Sequence, residues 1–238
     1  MLARVLEPEL MDSPEEARDY DAMDHSSVNR VFVVDFLAVW NGRGPIVDIG
    51  TGTAQIPIEF CRQSSTGTIV AIDAAAHMIE LARAHVRAVE FESRIELQLV
   101  DAKRMPFDDR SVAAVMSNSI VHHIPRPHDV FAEIARVAAP GATIFVRDLL
   151  RPTDKASLGH LVETYAGLAN AHQRKMFAES LHAALSVDEV RDLVAAVDYD
   201  PACVSQTTDR HWTWAVPGAR RKSFDGAEAT SRRPLSAK

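Results

Sequence analysis

Through the middle of the chain, short apolar runs alternate with helix-length amphipathic stretches. Residues 46–49, 68–72 and 112–117 read as buried strands, and 94–100 alternates like a strand with one wet face. Helical spacing fills the gaps at 54–62, 75–89 and 127–138, the second placing Met78, Leu81, Ala82, His85 and Val89 on one side. A fifth strand at 142–148 follows the turn Ala139-Pro140-Gly141. Strands joined by helix-length crossovers predict a parallel sheet covered on both faces, and right-handed crossovers fix its winding.

Upstream, Ser13-Pro14-Glu15-Glu16 is a helix start: a capping hydroxyl, a proline fit for the first turn, and two acids at the positive end of the dipole. A second helix is predicted over 26–40, ended by Asn41-Gly42-Arg43-Gly44-Pro45. Beyond Asp148 the alternation stops. Residues 152–185 read as helix, with Leu158, Leu161, Val162, Tyr165 and Leu168 as an apolar stripe packed on the core. Ser186 and Glu189 form a capping box for a helix to about residue 197. Segments 202–207 and 210–216 predict an antiparallel hairpin, with Trp212 and Trp214 on one face as core or dimer-contact residues.

The fold class is therefore α/β: a doubly wound, mostly parallel, seven-stranded Rossmann-like sheet with an antiparallel final hairpin and a helical cap insertion. The expected organisation is N-terminal helices over the site (1–44), a cofactor-binding core (45–150), the cap (151–186), the end of the core sheet (187–216) and a disordered tail (217–238).

Composition narrows the class. Apolar residues make up 47% of the 238 and charged residues 25%, ordinary for a globular protein. Two separated cysteines, Cys61 and Cys203, argue against a disulfide scaffold or zinc module and for a reducing cytoplasm. The longest apolar stretch, 31–40, is broken by Asp35, so no membrane span is expected, and the acidic start lacks the apolar core of a signal peptide. The net charge is −7, and residues 217–238 carry +4, leaving −11 on the rest. Such a body is a poor partner for nucleic acid. The expected partner is a small molecule, with no nucleic acid and no membrane, for a monomer or homodimer.

The strongest chemical signal is Val47-Asp48-Ile49-Gly50-Thr51-Gly52-Thr53-Ala54, where the first strand turns into a helix. Glycines there let a ligand approach the backbone, at the strand ends where open α/β sheets bind ligands. Asp73 ends the second strand, where a carboxylate can accept hydrogen bonds from a ribose diol. A dinucleotide fingerprint needs a small residue where Gln55 stands, and Asp48 would repel a pyrophosphate. A cofactor with an amino group and a sulfonium suits Asp48 better.

These motifs resemble those of the class I S-adenosylmethionine-dependent methyltransferases, in their small-molecule, type 11/25-like branch. VDIGTGTAQIPIEF is similar to the first motif of that family, IDAAAHMIELAR to the second, the Asp101-Ala102 segment to the third, and Ser117-Asn118-Ser119 with Val121-His122-His123-Ile124-Pro125 to the fourth. The resemblance covers about residues 45–150 and implies S-adenosyl-L-methionine as cofactor. It implies that Gly50, Thr51 and Gly52 cradle the methionine part and Asp48 holds its amino group. It further implies Asp73 on the ribose, Ala74, Met78, Asp101 and Ala102 around the adenine, and Ser117 on the methionine and substrate side. Gln55 departs from the small residue many members carry.

The resemblance leaves the acceptor open. His122 and His123 are neighbours, and on an extended chain they would point to opposite faces, so at most one would meet the cofactor. They lack the spacing of a helical zinc pair, and no nearby carboxylate completes a ligand set, so no metal is expected. The base, where one is needed, is sought first at His123, then at Asp148, His172 and Tyr20. Tyr20 is also the candidate for closing the methyl-donor pocket, and Tyr165, His172 and Arg174 in the cap are the candidate substrate contacts. Two competing readings remain at this level: another enzyme on the same fold, such as an aminopropyl transferase or an NAD-dependent oxidoreductase, and a cofactor-binding protein without turnover.

Overall fold

The structure is a computed structural model that describes residues 2–7 and 13–219. Its centre is a seven-stranded sheet in the order β3-β2-β1-β4-β5-β7-β6. Strands β1 (Ile46–Ile49), β2 (Ile69–Asp73), β3 (Ile95–Leu99), β4 (Val112–Asn118) and β5 (Ala138–Leu149) are parallel. Strands β6 (Val204–Gln206) and β7 (His211–Val216) form the antiparallel end, β7 pairing with both β5 and β6. This is the doubly wound α/β sheet with a closing hairpin that the sequence pattern predicted.

Both faces are covered because each central strand is buried on both sides. All four residues of β1 are buried; Val47 and Ile49 join one core and Ile46 the other. Helices α5 (Pro127–Val137) and α8 (Val187–Ala195) close the first core with Phe131, Ile134, Val190 and Val194. Helices α2 (Ser26–Val39), α3 (Gln55–Gln63) and α4 (Ala76–Ala88) close the second with Phe32, Phe36, Phe60 and Ala82. Trp212 and Trp214 belong to the first core, where Trp214 stacks on Phe131 with centroids 5.2 Å apart, so they make no dimer contact.

Several local expectations change. Strand β5 begins at Ala138 and runs through the expected turn, with a register shift against β4 and Gly141 at φ 74. Asp35 interrupts the apolar run because Arg147, buried in β5, places Nη2 2.7 Å from its carboxylate. The stretch 152–185 contains two helices, α6 (Lys155–Ala166) and α7 (Ala171–Ala183). Leu161 anchors the α6 stripe, but Tyr165 is 46% exposed and Leu168 fully exposed, because α6 ends before the stripe returns to the core. Helix α1 (Pro14–Asp21) starts with a complete Ser13–Glu16 capping box. The expected disordered tail lies outside the described residues from 220 onward; Gly218 N still donates to Val39 O and Ala219 N to Gly141 O.

Candidate functional site

At the carboxyl ends of β1, β2 and β4 lies a cleft lined by Gly50, Gly52, Asp73, Ala74, Met78, Asp101 and Ala102. The loop after β1 makes its floor. Gly50 and Gly52 both hold positive φ, 71° and 54°. At Gly50 a side chain is excluded from a second direction, since a Cβ there would overlap Ile120 and come within 2.9 Å of its Cβ atom. Asp73 ties the loop down: its Oδ2 accepts from Gly52 N at 2.8 Å and its Oδ1 from Ala75 N at 2.9 Å.

Three residues expected in the cleft sit behind it. Asp48 is buried under the loop, where burial, with the negative charge of Asp73 adding to it, pushes its carboxyl up to about 7. Thr51 is buried too. Ser117 does not face the cleft, because its hydroxyl donates to Ile49 O at 2.9 Å and stitches β4 to β1; Asn118, one residue on, lines the cleft instead. Gln55 stays out of the cofactor cleft and binds Asn29 of α2 at 3.2 Å.

Asp48 Oδ2, Thr51 Oγ1 and Asn118 Oδ1 are buried without a hydrogen-bond partner. Unused acceptors at the glycine loop fit a ligand bearing an ammonium group, reached directly or through water, and the Asp73 carboxylate fits a diol beyond it. The residues present therefore fit S-adenosyl-L-methionine.

Tyr20 roofs this cleft from the last turn of α1. Ala17 packs on Ala75 and Met78, and His85 braces the helix end with Nε2 3.2 Å from Asp21 Oδ2. Burial, with Asp73, Asp48 and Asp21 around it, raises the Tyr20 phenol to about 12. It stays protonated near neutral pH, which removes it from the candidate bases and leaves it as a cover.

A second cleft, of about 510 Å3, adjoins the first and shares Tyr20, Asn118, Ser119 and His123 with it. Ser119 holds φ 59, a left-handed conformation unusual for a residue with a side chain. The far side comes from α6 and α7. On α7 the residues facing the cleft are Gln173, Met176, Phe177 and Ser180, one helical stripe. His172 and Arg174 flank that stripe, so neither lines the cleft: His172 is exposed, and Arg174 pairs with Glu163 at 2.7 Å. Tyr165 does line it.

The histidine pair departs most from expectation. Val121–His123 is a 3-10 turn, which brings the two rings to 4.1 Å, centroid to centroid. His122 Nδ1 donates to buried Asp148 at 2.6 Å, and its Nε2 lies 3.4 Å from Glu7 Oε1. His123 Nδ1 lies 3.0 Å from the same oxygen. Glu7, which the sequence reading missed, thus supplies the carboxylate expected to be absent, and the three ligand atoms lie within 4.8 Å of one another. Burial alone would lower the His122 pKa, but Asp148 and then Glu7 raise it overall, which favours the protonated ring. The Glu7 segment is pinned by Arg4, whose Nη2 donates to His122 O at 3.2 Å and Ile124 O at 3.0 Å, and by Val5 N on His182 O.

Residues 47–146 match the family described as a methyltransferase domain. That stretch is similar to a class I S-adenosyl-L-methionine-dependent methyltransferase domain. S-adenosyl-L-methionine is the cofactor of that family, as the motifs implied, and the alternative NAD-dependent reading is not favoured. The chain is 34% identical over 115 residues to a ubiquinone/menaquinone biosynthesis C-methyltransferase of Geobacter sp. strain M21, a match covering 48% of each chain. It thus spans about half the length of such relatives. It is also 26% identical over 191 residues to the 27-O-demethylrifamycin SV methyltransferase of Amycolatopsis mediterranei, covering 77% of this chain and 66% of that one. The fold matches an S-adenosylmethionine-dependent methyltransferase from Aquifex aeolicus with a TM-score of 0.62 at 17% identity, over 85% of this chain and 97% of that one. Among the described residues, no helix is long and apolar enough to cross a membrane.

Proposed function

We propose that this protein transfers the methyl group of S-adenosyl-L-methionine to a small-molecule acceptor seated in the second cleft. The observation that carries the reading is the shared wall: Tyr20, Asn118, Ser119 and His123 line both clefts, so a donor in one meets an acceptor in the other. When bound, the cofactor supplies a methyl group already activated on a sulfonium centre. The chain therefore contributes mainly position and dryness. Asp73 orients the ribose, Met78, Asp101 and Ala102 hold the adenine, and the Gly50–Gly52 loop with Asp48 beneath it holds the amino-acid end. Tyr20 excludes water from the joint.

His123 is the proton acceptor where the acceptor must lose one. Its Nδ1 is committed to Glu7, which leaves Nε2 for the transfer. His122, bracketed by Asp148 and Glu7, holds the turn in place. The net charge of −7 supports a metabolite over nucleic acid, and two unlinked cysteines support a cytoplasmic location.

The test is transfer of tritiated methyl from S-adenosyl-L-methionine to a pooled metabolite extract. The reading expects labelled product, with Glu7→Gln and His123→Ala lowering kcat while cofactor affinity stays within threefold. Tight cofactor binding without label transfer to any fraction of the pool would instead support a binding protein without turnover.

A further inference from the structure

Arg210 stands in the turn before β7 and lines the second cleft, and its Nη1 is buried with no hydrogen-bond partner. The guanidinium lies 3.3 Å from the centroid of the Tyr165 ring. The Tyr165 hydroxyl reaches the Asp209 carboxylate at 2.7 and 2.9 Å, and Leu150 N donates to Arg210 O at 2.8 Å. Ring, carboxylate and backbone together fix the plane of the cation before any ligand arrives, which lowers the ordering cost of binding.

A buried donor on a charged group is costly when unpaired. A ligand that brings an anionic oxygen removes that cost. Among the other lining groups, His122 and His123 already pair with Glu7, and His122 with Asp148 as well. His25 Nε2 is also buried without a partner, and burial lowers the pKa of His25. His211 is held down at about 4 by burial and by Arg210 and Arg147, so both rings are neutral at pH 7. Asp24, the acid of the lining, is exposed and accepts from Ser26 N at 2.9 Å. The rest of the wall is largely apolar, with Met23, Val28, Leu149, Met176 and Phe177. The single guanidinium charge balances a carboxylate, whereas a phosphate dianion would bring a second charge into a largely apolar wall.

We infer that the methyl acceptor is a predominantly apolar molecule carrying a carboxylate, which Arg210 binds while the apolar wall takes the carbon skeleton. This rests on the methyl-transfer reading above and names its substrate class.

A pooled metabolite extract is split by anion exchange at pH 8 into acidic and neutral fractions, and each is offered with tritiated S-adenosyl-L-methionine. Label should enter the acidic fraction, and amidation of its carboxylates should abolish transfer. Arg210→Gln should raise the apparent KM for that fraction at least tenfold, with cofactor affinity by calorimetry within twofold, and Arg210→Lys should recover part of the loss. Label entering only the neutral fraction, or an unchanged KM in Arg210→Gln, overturns the inference and leaves methyl transfer standing. No label in either fraction overturns the methyl-transfer reading and this inference with it.

Discussion

Replacing Asp148 by Asn removes one oxygen charge from the most heavily bonded carboxylate of the site. Asp148 is fully buried and accepts from Val121 N, from Leu149 N at 2.6 Å, from His122 N at 3.3 Å and from His122 Nδ1 at 2.6 Å. An amide of the same shape points an NH2 at donors and leaves the His122 imidazolium without its main counter-charge. Breaking a buried pair by removing one partner costs about 3–5 kcal/mol. At about 2–4 °C per kcal/mol for a chain of this size, the melting temperature should fall by roughly 6–20 °C at pH 6.

The pH dependence follows from the same pair. Burial lowers the His122 pKa, but Asp148 overcomes this and raises it above 6.5; the stability it contributes is therefore full below pH 6.5 and lost as pH rises through the raised value. Burial raises the Asp148 pKa, but His122 overcomes this and lowers it below 3.8; its contribution is full above pH 3.8 and lost as pH falls through the lowered value. Scanning calorimetry at pH 6 and pH 9 should show wild type losing stability at the higher pH and Asp148→Asn losing less. A fall under 3 °C at pH 6, or the same pH 6 to 9 difference in both proteins, would refute the reasoning.

Three further outcomes are expected. Asp73→Ala should weaken S-adenosyl-L-methionine at least tenfold in calorimetry, about 1.4 kcal/mol, and should also lower the melting temperature, because the amides of Gly52 and Ala75 lose their acceptor; unchanged affinity would mean another group holds the ribose. Gly50→Val should abolish cofactor binding, since the new side chain meets Ile120 at a positive φ, and adding Ile120→Ala should restore only part; full binding by the single variant would place the cofactor elsewhere. Because burial raises Asp48 to about 7 and a bound cation favours its ionised form, cofactor affinity should rise from pH 6 to pH 8, with proton release at pH 7 seen as a binding enthalpy that depends on the buffer. Pre-binding stability runs the other way, falling as pH climbs from about 4 to 7, and Asp48→Asn should flatten both trends.

The features legible in the sequence were those written in the backbone. The strand-and-helix alternation, the glycine turn after β1, Asp73 at the end of β2 and the Ser186 capping box each depend on residues close together in the chain. What the sequence hid depends on contacts across the chain or on helix phase. Glu7 meets the histidines because Arg4 and the Val5 amide strap the N-terminal segment onto the body beside the turn at Val121–His123. That turn is 3-10 rather than extended, so two side chains expected on opposite faces lie together. His172 and Arg174 were singled out by chemical type, yet the face of α7 that reaches the cleft runs through Gln173, Met176, Phe177 and Ser180. Arg210 sits in a polar hairpin turn with no periodic pattern, and only the fold brings it over Tyr165. Ser117 carried the expected hydroxyl, and a strand-to-strand hydrogen bond consumes it.

The central claim is that one cofactor and one acceptor meet across the wall formed by Tyr20, Asn118, Ser119 and His123. A crystal structure with S-adenosylhomocysteine, the demethylated product, tests it most directly. The account predicts adenine beside Met78, Asp101 and Ala102, the ribose diol on Asp73, and the thioether sulfur at that wall, facing the second cleft. A product bound outside this cleft, or one whose sulfur faces away from the wall, would contradict it.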